Sequence, residues 1–323
     1  MAKKVLLFGD IGIDDTVALI YAYLSKNIDV VGVVADYGNI PRENAIANIN
    51  YVHNIFDTPK IENVKIIAGA ELSMTGEIPK FYPEIHGEYG LGPIIPPADG
   101  AEVLSENFYE VIEIINEHFD DLIIVNIGRL TSLATLFILQ PNLMKQIKEY
   151  YIMGGAFWYP GNVTSVSEAN FHGDPIAAQL VLSYANRVKI YPLNVTSRAI
   201  VTPEMVNYID QVGKVPLIKT LLDYYYNFYK KRDPSVQGSP LHDVLTIMAV
   251  YYDDMLKYES FPVYVVRSLN GTERGQSIAD IRPFGSLEEE TTAVIKKHQI
   301  ASQLDYPKFF NHFMEVMTGG KFE

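Results

Sequence analysis

Three aspartates near the start of the chain, Asp10, Asp14 and Asp15, form its clearest chemical pattern. They lie between two apolar runs, 5–8 and 16–24, which predict a buried strand and a helix. A local interpretation makes Asp14 the N-cap of that helix and lets Asp15 complement the helix dipole. It does not explain Asp10, whose charge would repel the other two. Three like charges at one turn therefore indicate a bound cation.

A further acid stands beside a histidine, at His242 and Asp243, where another helix is predicted to begin. The aspartate could bind the same cation while the imidazole faces a substrate. Histidine is the side chain best matched to proton transfer near neutral pH. A lone histidine at a helix start is more often structural. The functional interpretation of this pair therefore depends on the acids of the first turn.

A third cluster combines Asn162, Glu168 and Asn170 on a predicted loop. Two amides and a carboxylate suit the hydroxyls of a sugar, which both donate and accept hydrogen bonds. Ordinary loop polarity would explain the same residues. Just before His242, a predicted helix places Tyr225 on the same face as the tyrosine four residues later, Tyr229. Two interpretations of this tyrosine pair are equally open, packing in the core and contact with a ligand.

The elements that must position these residues alternate between strand and helix through the first half of the chain. Alternation of this kind predicts parallel strands joined by crossover helices. We therefore expect an α/β fold with an open, mostly parallel, Rossmann-like sheet flanked by helices. The predicted strands are 5–8, 30–35, 64–68, 122–126, 150–153, 188–193, 262–267 and 292–297, the last two as a hairpin. The predicted helices are 16–24, 41–56, 104–118, 130–139, 175–183, 203–212, 217–231, 241–252 and 305–317.

No repeat, low-complexity tract or linker divides the chain, so residues 1–323 are predicted to form a single domain. Beyond residue 200 the predicted elements are mainly helical and add to the sheet. Residues 71–100 are predicted to form a long loop rich in Gly and Pro, and such loops are often functional.

Polar residues recur directly after the predicted strands, where open α/β sheets bind their ligands. Each group alone is explained by a loop or a helix cap. Their occurrence after successive parallel strands favours a common site on one rim of the sheet. The groups are Asp36 with Asn39, residues 126–129, residues 153–155, and Asn194.

Composition limits the partners and the location. The formal net charge of −13 argues against nucleic acid as a partner. The absence of cysteine excludes disulfides, thiolate metal sites and thiol catalysis. The first four residues lead directly into a strand without a signal-peptide pattern, and no apolar stretch is long enough to span a membrane. We therefore expect a cytoplasmic protein with no membrane partner.

Taken in order, these motifs resemble the nucleoside hydrolase family of the inosine-uridine preferring type. Residues 8–15 occupy the position of the family's Asp-x-Asp-Pro-Gly-x-Asp-Asp turn, and His242-Asp243 ends the series. Any one motif is weak, but the set spans residues 5–250 in the family's order and is highly specific. The intervening motifs are 34–39, 85–87, 127–132, 153–156, 161–164, 168–170, 174–175 and 192–196.

The resemblance implies a calcium-dependent enzyme of purine and pyrimidine salvage that hydrolyses ribonucleosides to ribose and a free base. It implies that Asp10 also deprotonates the attacking water, and that the enzyme is a homodimer or homotetramer. The implied calcium ligands are the carboxylates of Asp10, Asp15 and Asp243 and the backbone carbonyl of Ile127. The implied ribose contacts are Asp14, Asn39, Asn162, Glu168 and Asn170, with Met153 beneath the sugar and His86 and His242 flanking the base.

Elementary chemistry agrees with these roles. Oxygen ligands favour calcium or magnesium, and calcium accepts enough oxygens to hold water and two ribose hydroxyls. The ion lowers the pKa of water, and carboxylates stabilise the oxocarbenium-like transition state of glycosidic cleavage. The departing base needs a proton or a strong hydrogen bond, which His242 could supply.

Three positions depart from the family pattern: Phe8 replaces its first Asp, Ile11 replaces its Pro, and Asn194 stands where it usually has Asp. These departures support an alternative, a catalytically weak relative that binds nucleoside or ribose. A second alternative, a phosphohydrolase with an aspartyl nucleophile, expects an acid where Gly12 stands. His242 fits the inosine-uridine type better than purine-specific relatives, which tend to have Trp there, but the preferred base stays open.

Overall fold

The computed structural model describes residues 2–56, 59–97, 105–213, 215–282 and 296–321. Nine of the strands in these ranges form one sheet, and two short strands, β7 and β8, pair separately. The strands are β1 (Lys3–Gly9), β2 (Ile28–Ala35), β3 (Lys65–Ala68), β4 (Leu122–Asn126), β5 (Glu149–Met153), β6 (Val188–Tyr191), β7 (Ile200–Val201), β8 (Ser239–Pro240), β9 (Leu256–Val265), β10 (Ser277–Ala279) and β11 (Lys296–Leu304).

The order of strands across the sheet is β10-β9-β11-β6-β5-β4-β1-β2-β3. All neighbouring pairs from β11 to β3 are parallel, and only the pairs that include β9 are antiparallel. The predicted open, mostly parallel sheet is therefore confirmed. Because these strands are parallel, the carboxyl ends of β1, β2, β4, β5 and β6 meet at one edge of the sheet. Open α/β sheets bind their ligands at this edge.

Helices cover both faces of the sheet, as expected for parallel strands. Alternate residues of β1 show this: Val5 and Leu7 belong to one core cluster, and Leu6 and Phe8 to the other. The helices are α1 (Ile13–Leu24), α2 (Arg42–Phe56), α3 (Pro59–Glu62), α4 (Pro83–His86), α5 (Glu110–Glu117), α6 (Thr131–Leu139), α7 (Pro141–Met144), α8 (Ala169–Gly173), α9 (Pro175–Tyr184), α10 (Leu193–Thr196), α11 (Pro203–Val212), α12 (Ile218–Arg232), α13 (His242–Ala249) and α14 (Tyr306–Thr318). Within the described ranges, every helix is too short or too polar to cross a bilayer.

The predicted elements differ from the observed ones mainly at their ends. Helix α1 begins earlier than predicted, with Gly12 as its N-cap, so Asp14 lies inside the first turn and is not the cap. Strand β6 ends before Pro192, which lacks the N–H that continued pairing needs. The two late strands pair antiparallel as β9 and β11, but β10 lies between them in the chain, so they are not a simple hairpin. Residues 292–295 of the prediction lie outside the described residues. The predicted helix start at Leu104 also lies outside them.

Several short helices had no counterpart in the sequence prediction. Helices α4, α7, α8 and α10 contain only four or five residues each. A single turn is too short to show the period of 3.6 residues that identifies a helix from sequence. Two of them matter for function, because α4 ends at His86 and α8 contains Asn170.

Phe8 is fully buried at the end of β1, on the sheet face covered by α5, α6 and α9. It lies in register with Asn126 of β4, whose Nδ2 donates to the carbonyl of Gly128 at 2.6 Å. The Oδ1 atom of Asn126 is buried without a hydrogen-bond partner among the described residues. The ring of Phe8 thus fills the core directly beside the polar side chain of Asn126.

Candidate active site

Two helix starts bring three acids together at the carboxyl edge of the sheet. Helices α1 and α13 pack side by side, so Asp14 and Asp15 of the first meet Asp243 of the second. One carboxylate oxygen from each of these three residues lies within 4.8 Å of the others. All three side chains are buried. Helix packing thus joins the two acidic motifs that the sequence analysis had linked by chemistry alone.

Asp10 lies beside this group but does not belong to it. Its backbone N–H donates to Asp15 Oδ1 at 3.2 Å, and Asp15 Oδ2 accepts from the Gly12 N–H at 3.0 Å. The carboxylate of Asp10 is held from the opposite side by Asn39, whose backbone N–H donates to Oδ2 at 2.6 Å and whose Nδ2 donates to Oδ1 at 3.2 Å. Asn39 also donates to Asp15 and so connects the two acids.

It is electrostatically costly for all four buried acids to be ionised at the same time. Burial raises the pKa of Asp10, Asp14, Asp15 and Asp243, and for the last three repulsion from neighbouring carboxylates adds to the effect. For Asp14 the pKa rises to about 6. The Arg129 guanidinium opposes this by lowering the pKa of Asp10. A cluster of buried oxygen ligands with unbalanced negative charge is the donor set that a hard cation fits.

The turn between β1 and α1 also accounts for one departure from the family pattern. Ile11 has a backbone φ of +20°, and its carbonyl accepts from Asn48 Nδ2 at 3.0 Å. Proline has φ fixed near about −65°, so it could not adopt this conformation. Asn194 likewise has its own structural role, since its amide bonds to both the N–H and the carbonyl of Phe157. It supports the loop after β5 and does not line the cavity described next.

A cavity of about 570 Å³ opens above the acids. Asp14 and Asp243 form part of its wall, whereas Asp10 and Asp15 do not line it. The other predicted site residues all line this cavity and are thereby brought together: Asn39, His86, Ile127, Met153, Asn162, Glu168, Asn170, Tyr225, Tyr229 and His242.

The residues predicted to hold a sugar are themselves tightly held. Glu168 is the N-cap of α8, where its carboxylate accepts from the backbone N–H groups of Asn170 and Phe171. It also accepts from the N–H of Gly155 at 3.0 Å. Asn170 Nδ2 donates to the carbonyl oxygen of Ile127 at 2.9 Å. This part of the site is therefore rigid before any ligand binds.

Both histidines in the cavity are neutral at pH 7. Burial lowers the pKa of His86 to about 3 and that of His242 to about 4. The N–H of Ile13 donates to His86 Nδ1 at 3.0 Å, so its ring proton is on Nε2. His242 Nδ1 bonds to Thr196 Oγ1 at 2.9 Å, which leaves Nε2 for a ligand. Each ring can therefore offer one nitrogen to the cavity.

The two tyrosines of α12 both pack in the core and line the cavity. Their hydroxyls lie 3.3 Å apart, and the ring of Tyr225 lies 5.9 Å from that of His86. The two interpretations left open by the sequence are thus compatible. Tyr82 and Phe228, which were not predicted as site residues, also line the cavity, and Arg129 contacts Asp10. Arg129 belongs to residues 126–129, which were predicted from their place after a strand to lie at the common site, although no specific role was given to it.

Comparison with known proteins agrees with this geometry. A family model described as inosine-uridine preferring nucleoside hydrolase matches residues 5–311. The chain is 28% identical to the inosine-uridine preferring nucleoside hydrolase of Crithidia fasciculata over 98% of both chains. It is 27% identical to uridine nucleosidase 1 of Arabidopsis thaliana, covering 81% of this chain and 78% of that one. Its fold is similar to a solved purine-preferring ribonucleoside hydrolase from Gardnerella vaginalis, with a TM-score of 0.87, 25% identity and 98% coverage of both chains.

Proposed function

This chain belongs to the inosine-uridine preferring nucleoside hydrolase family, and we propose that its hydrolysis of ribonucleosides to ribose and free base depends on calcium. The observation that carries the calcium proposal is the buried group of Asp14, Asp15 and Asp243, with oxygens within 4.8 Å of one another. Asp10 contacts this group through Asp15. When bound, calcium would supply positive charge that lowers the pKa of water and attracts two ribose hydroxyls.

Following the family resemblance, we assign Asp10, Asp15, Asp243 and the carbonyl of Ile127 as the residues that hold the ion. Asp14, which lines the cavity and lies close to Asp15 and Asp243, is assigned to the ribose. Asp10 would also take the proton of the attacking water, because Asn39 fixes the direction of its carboxylate. Negative charge from the acids at the cavity would stabilise the oxocarbenium-like transition state. The buried, preorganised carboxylates support this role because they need no rearrangement when the charge develops.

The remaining side chains of the cavity would bind the nucleoside. Asp14, Asn39, Asn162, Glu168 and Asn170 would contact the ribose hydroxyls, with Met153 beneath the sugar. His86, Tyr225 and Tyr229 would contact the base, and His242 would offer a hydrogen bond to the departing nitrogen. The names of the relatives include uridine, inosine-uridine and purine preferences, so they do not favour one base. A cytoplasmic location and a homodimeric or homotetrameric assembly stay predictions.

The function is tested by measuring ribose released from inosine, guanosine, uridine and cytidine, with calcium present and after chelation. We expect turnover of at least one ribonucleoside with calcium, and a loss of about 100-fold or more after chelation. Restoration by added calcium is the control for irreversible damage. Binding of a nucleoside without any ribose release would instead favour the alternative of a catalytically weak relative.

Phe8 provides a second test of that alternative. Replacing Phe8 with Asp should lower the free energy of unfolding by about 3 kcal/mol or more, because a large core side chain is lost and a carboxylate is buried. We expect no gain in ribose release. Urea denaturation and the ribose assay at saturating calcium measure the two effects.

The matched control is Phe137→Asp, which changes another buried Phe in the same core cluster. It should cause a similar loss of stability. An inactive natural protein that gains turnover through Phe8→Asp alone would refute the enzyme proposal.

A further inference from the structure

Arg129 is a buried cation that contacts the proposed active site without lining its cavity. Its side chain is 4% exposed, and Nη1 donates to Asp10 Oδ2 at 3.2 Å. The same nitrogen donates to Asn170 Oδ1 at 2.8 Å. Arg129 also lines a neighbouring cavity of about 540 Å³, which shares Tyr82 and Val163 with the substrate cavity. Arg129 thus links two site residues.

The contact is built into the packing of the loop that carries it. Arg129 lies between β4 and α6, and its Nε lies against Gly173 at the end of α8. A Cβ at Gly173 would collide with this guanidinium, so the glycine leaves the space that the cation occupies. The position of Arg129 is therefore set by two elements that also carry site residues.

The hydrogen bonds of Arg129 divide the two oxygens of Asp10 between different tasks. Oδ2 accepts from both Arg129 and the backbone N–H of Asn39. Oδ1 accepts only from Asn39 Nδ2 among the described residues. Oδ1 therefore keeps more of its capacity to accept a further contact, such as an ion or a water molecule. Arg129 contributes to this orientation, but Asn39 alone supplies two of its three donors.

Arg129 also determines which way the amide of Asn170 faces. Because Arg129 donates to Oδ1, the Nδ2 group of Asn170 is directed at the carbonyls of Ile127 and Met153. Ile127 is the proposed carbonyl ligand of the ion. A single guanidinium thus fixes groups proposed to bind water, sugar and metal.

The charge of Arg129 has a separate effect. The acids attract a divalent cation, and a guanidinium in contact with one of them opposes that attraction. Building on the proposed function, we infer that Arg129 is a positioning residue that orients Asp10 and Asn170 for turnover and at the same time weakens calcium binding. The two effects have opposite consequences for affinity and rate, which separates them from simple structural damage.

The test compares Arg129→Met, which removes the charge, with Arg129→Lys, which keeps it. Calcium affinity is measured by titration calorimetry on the metal-free full chain, and kcat and KM by ribose release. For Arg129→Met we expect calcium to bind about 10-fold more tightly or better. We expect its kcat to fall by about 10- to 100-fold, the usual scale for losing a supporting contact. Arg129→Lys should show the lower kcat but a calcium affinity within about three-fold of the natural protein.

The matched control is Arg274→Met. Arg274 is another buried arginine paired with a carboxylate, that of Glu77, and it lines the neighbouring cavity. It should leave calcium affinity and kcat within about three-fold, because it contacts none of the four acids. Weaker or unchanged calcium binding in Arg129→Met, or tighter binding in Arg129→Lys, would overturn the inference. An absence of calcium binding and turnover in the natural protein would instead defeat the proposed function itself.

Discussion

The Asp243→Asn variant should lose calcium binding and at least about 1,000-fold of the rate of ribose release, because it removes one charge from a three-acid group. It should also be more stable than the natural protein when both are metal-free at pH 8. The pKa of Asp243 is raised well above 3.8 by burial and by neighbouring carboxylates. A carboxyl group whose pKa is raised by folding stabilises the fold at pH values below its pKa in the unfolded chain. This stabilisation is lost as the pH rises through the pKa of the group in the folded protein.

Neutral Asn avoids that loss, so the Tm of the metal-free variant should be higher by about 2 °C or more. Differential scanning calorimetry with and without calcium measures both effects. The matched control is Asp36→Asn, which changes another fully buried acid at the same edge of the sheet. Asp36 bonds to Ala70 and Ser132 and is outside the three-acid group, so calcium should still raise the Tm of this control. Calcium-dependent turnover by Asp243→Asn at the natural rate would disprove the proposed metal site.

The second large effect is expected for His242→Ala, which should slow inosine hydrolysis by about 100-fold or more. A nitrophenyl riboside should be hydrolysed nearly as fast as before, since its leaving group needs no proton. The pKa of His242 is lowered to about 4 by burial, so the ring is neutral at pH 7 and acts as a hydrogen-bonding group. The contribution of His242 to the rate of hydrolysis should therefore stay constant as the pH rises from 6 to 8.

The matched control for His242 is Thr196→Val, which keeps the imidazole but removes the partner of Nδ1. We expect a smaller loss, about 10-fold on inosine, because the ring is less firmly oriented. Steady-state rates on both substrates across this pH range measure the comparison. If His242→Ala loses the same factor on both substrates, the residue shapes the pocket and does not assist the leaving group.

Much of the site could be predicted because its residues lie at the ends of strands. The turn from Asp10 to Asp15 joins a buried strand to a buried helix, and both elements were visible as apolar runs. The parallel sheet then required the other strand ends to meet the same edge. His242 and Asp243 could be linked to the first turn only because their side chains suit the same metal and substrate. The packing of α1 against α13 supplied the contact that the sequence could not show.

Short elements and exact boundaries were harder to predict for a physical reason. Helix α8 is held by the Glu168 cap and not by a periodic apolar face, so its five residues carry no helical pattern. Glu168 and Asn170 were predictable as polar groups for a sugar from their residue types alone. Only the folded chain shows that Glu168 also caps a helix and that the Asn170 amide is held by the carbonyl of Ile127.

The sequence by itself determined the fold class, the family and the chemical types of the site, because apolar periodicity, turn residues and motif order are recorded in neighbouring positions. Only the tertiary structure decided how those groups are charged and oriented. Arg129 meets Asp10 across 119 positions and Asn170 across 41. Likewise, His242 is neutral because distant segments bury it. Charge, burial and hydrogen-bond direction depend on which remote atoms surround a group, and local sequence does not contain that information.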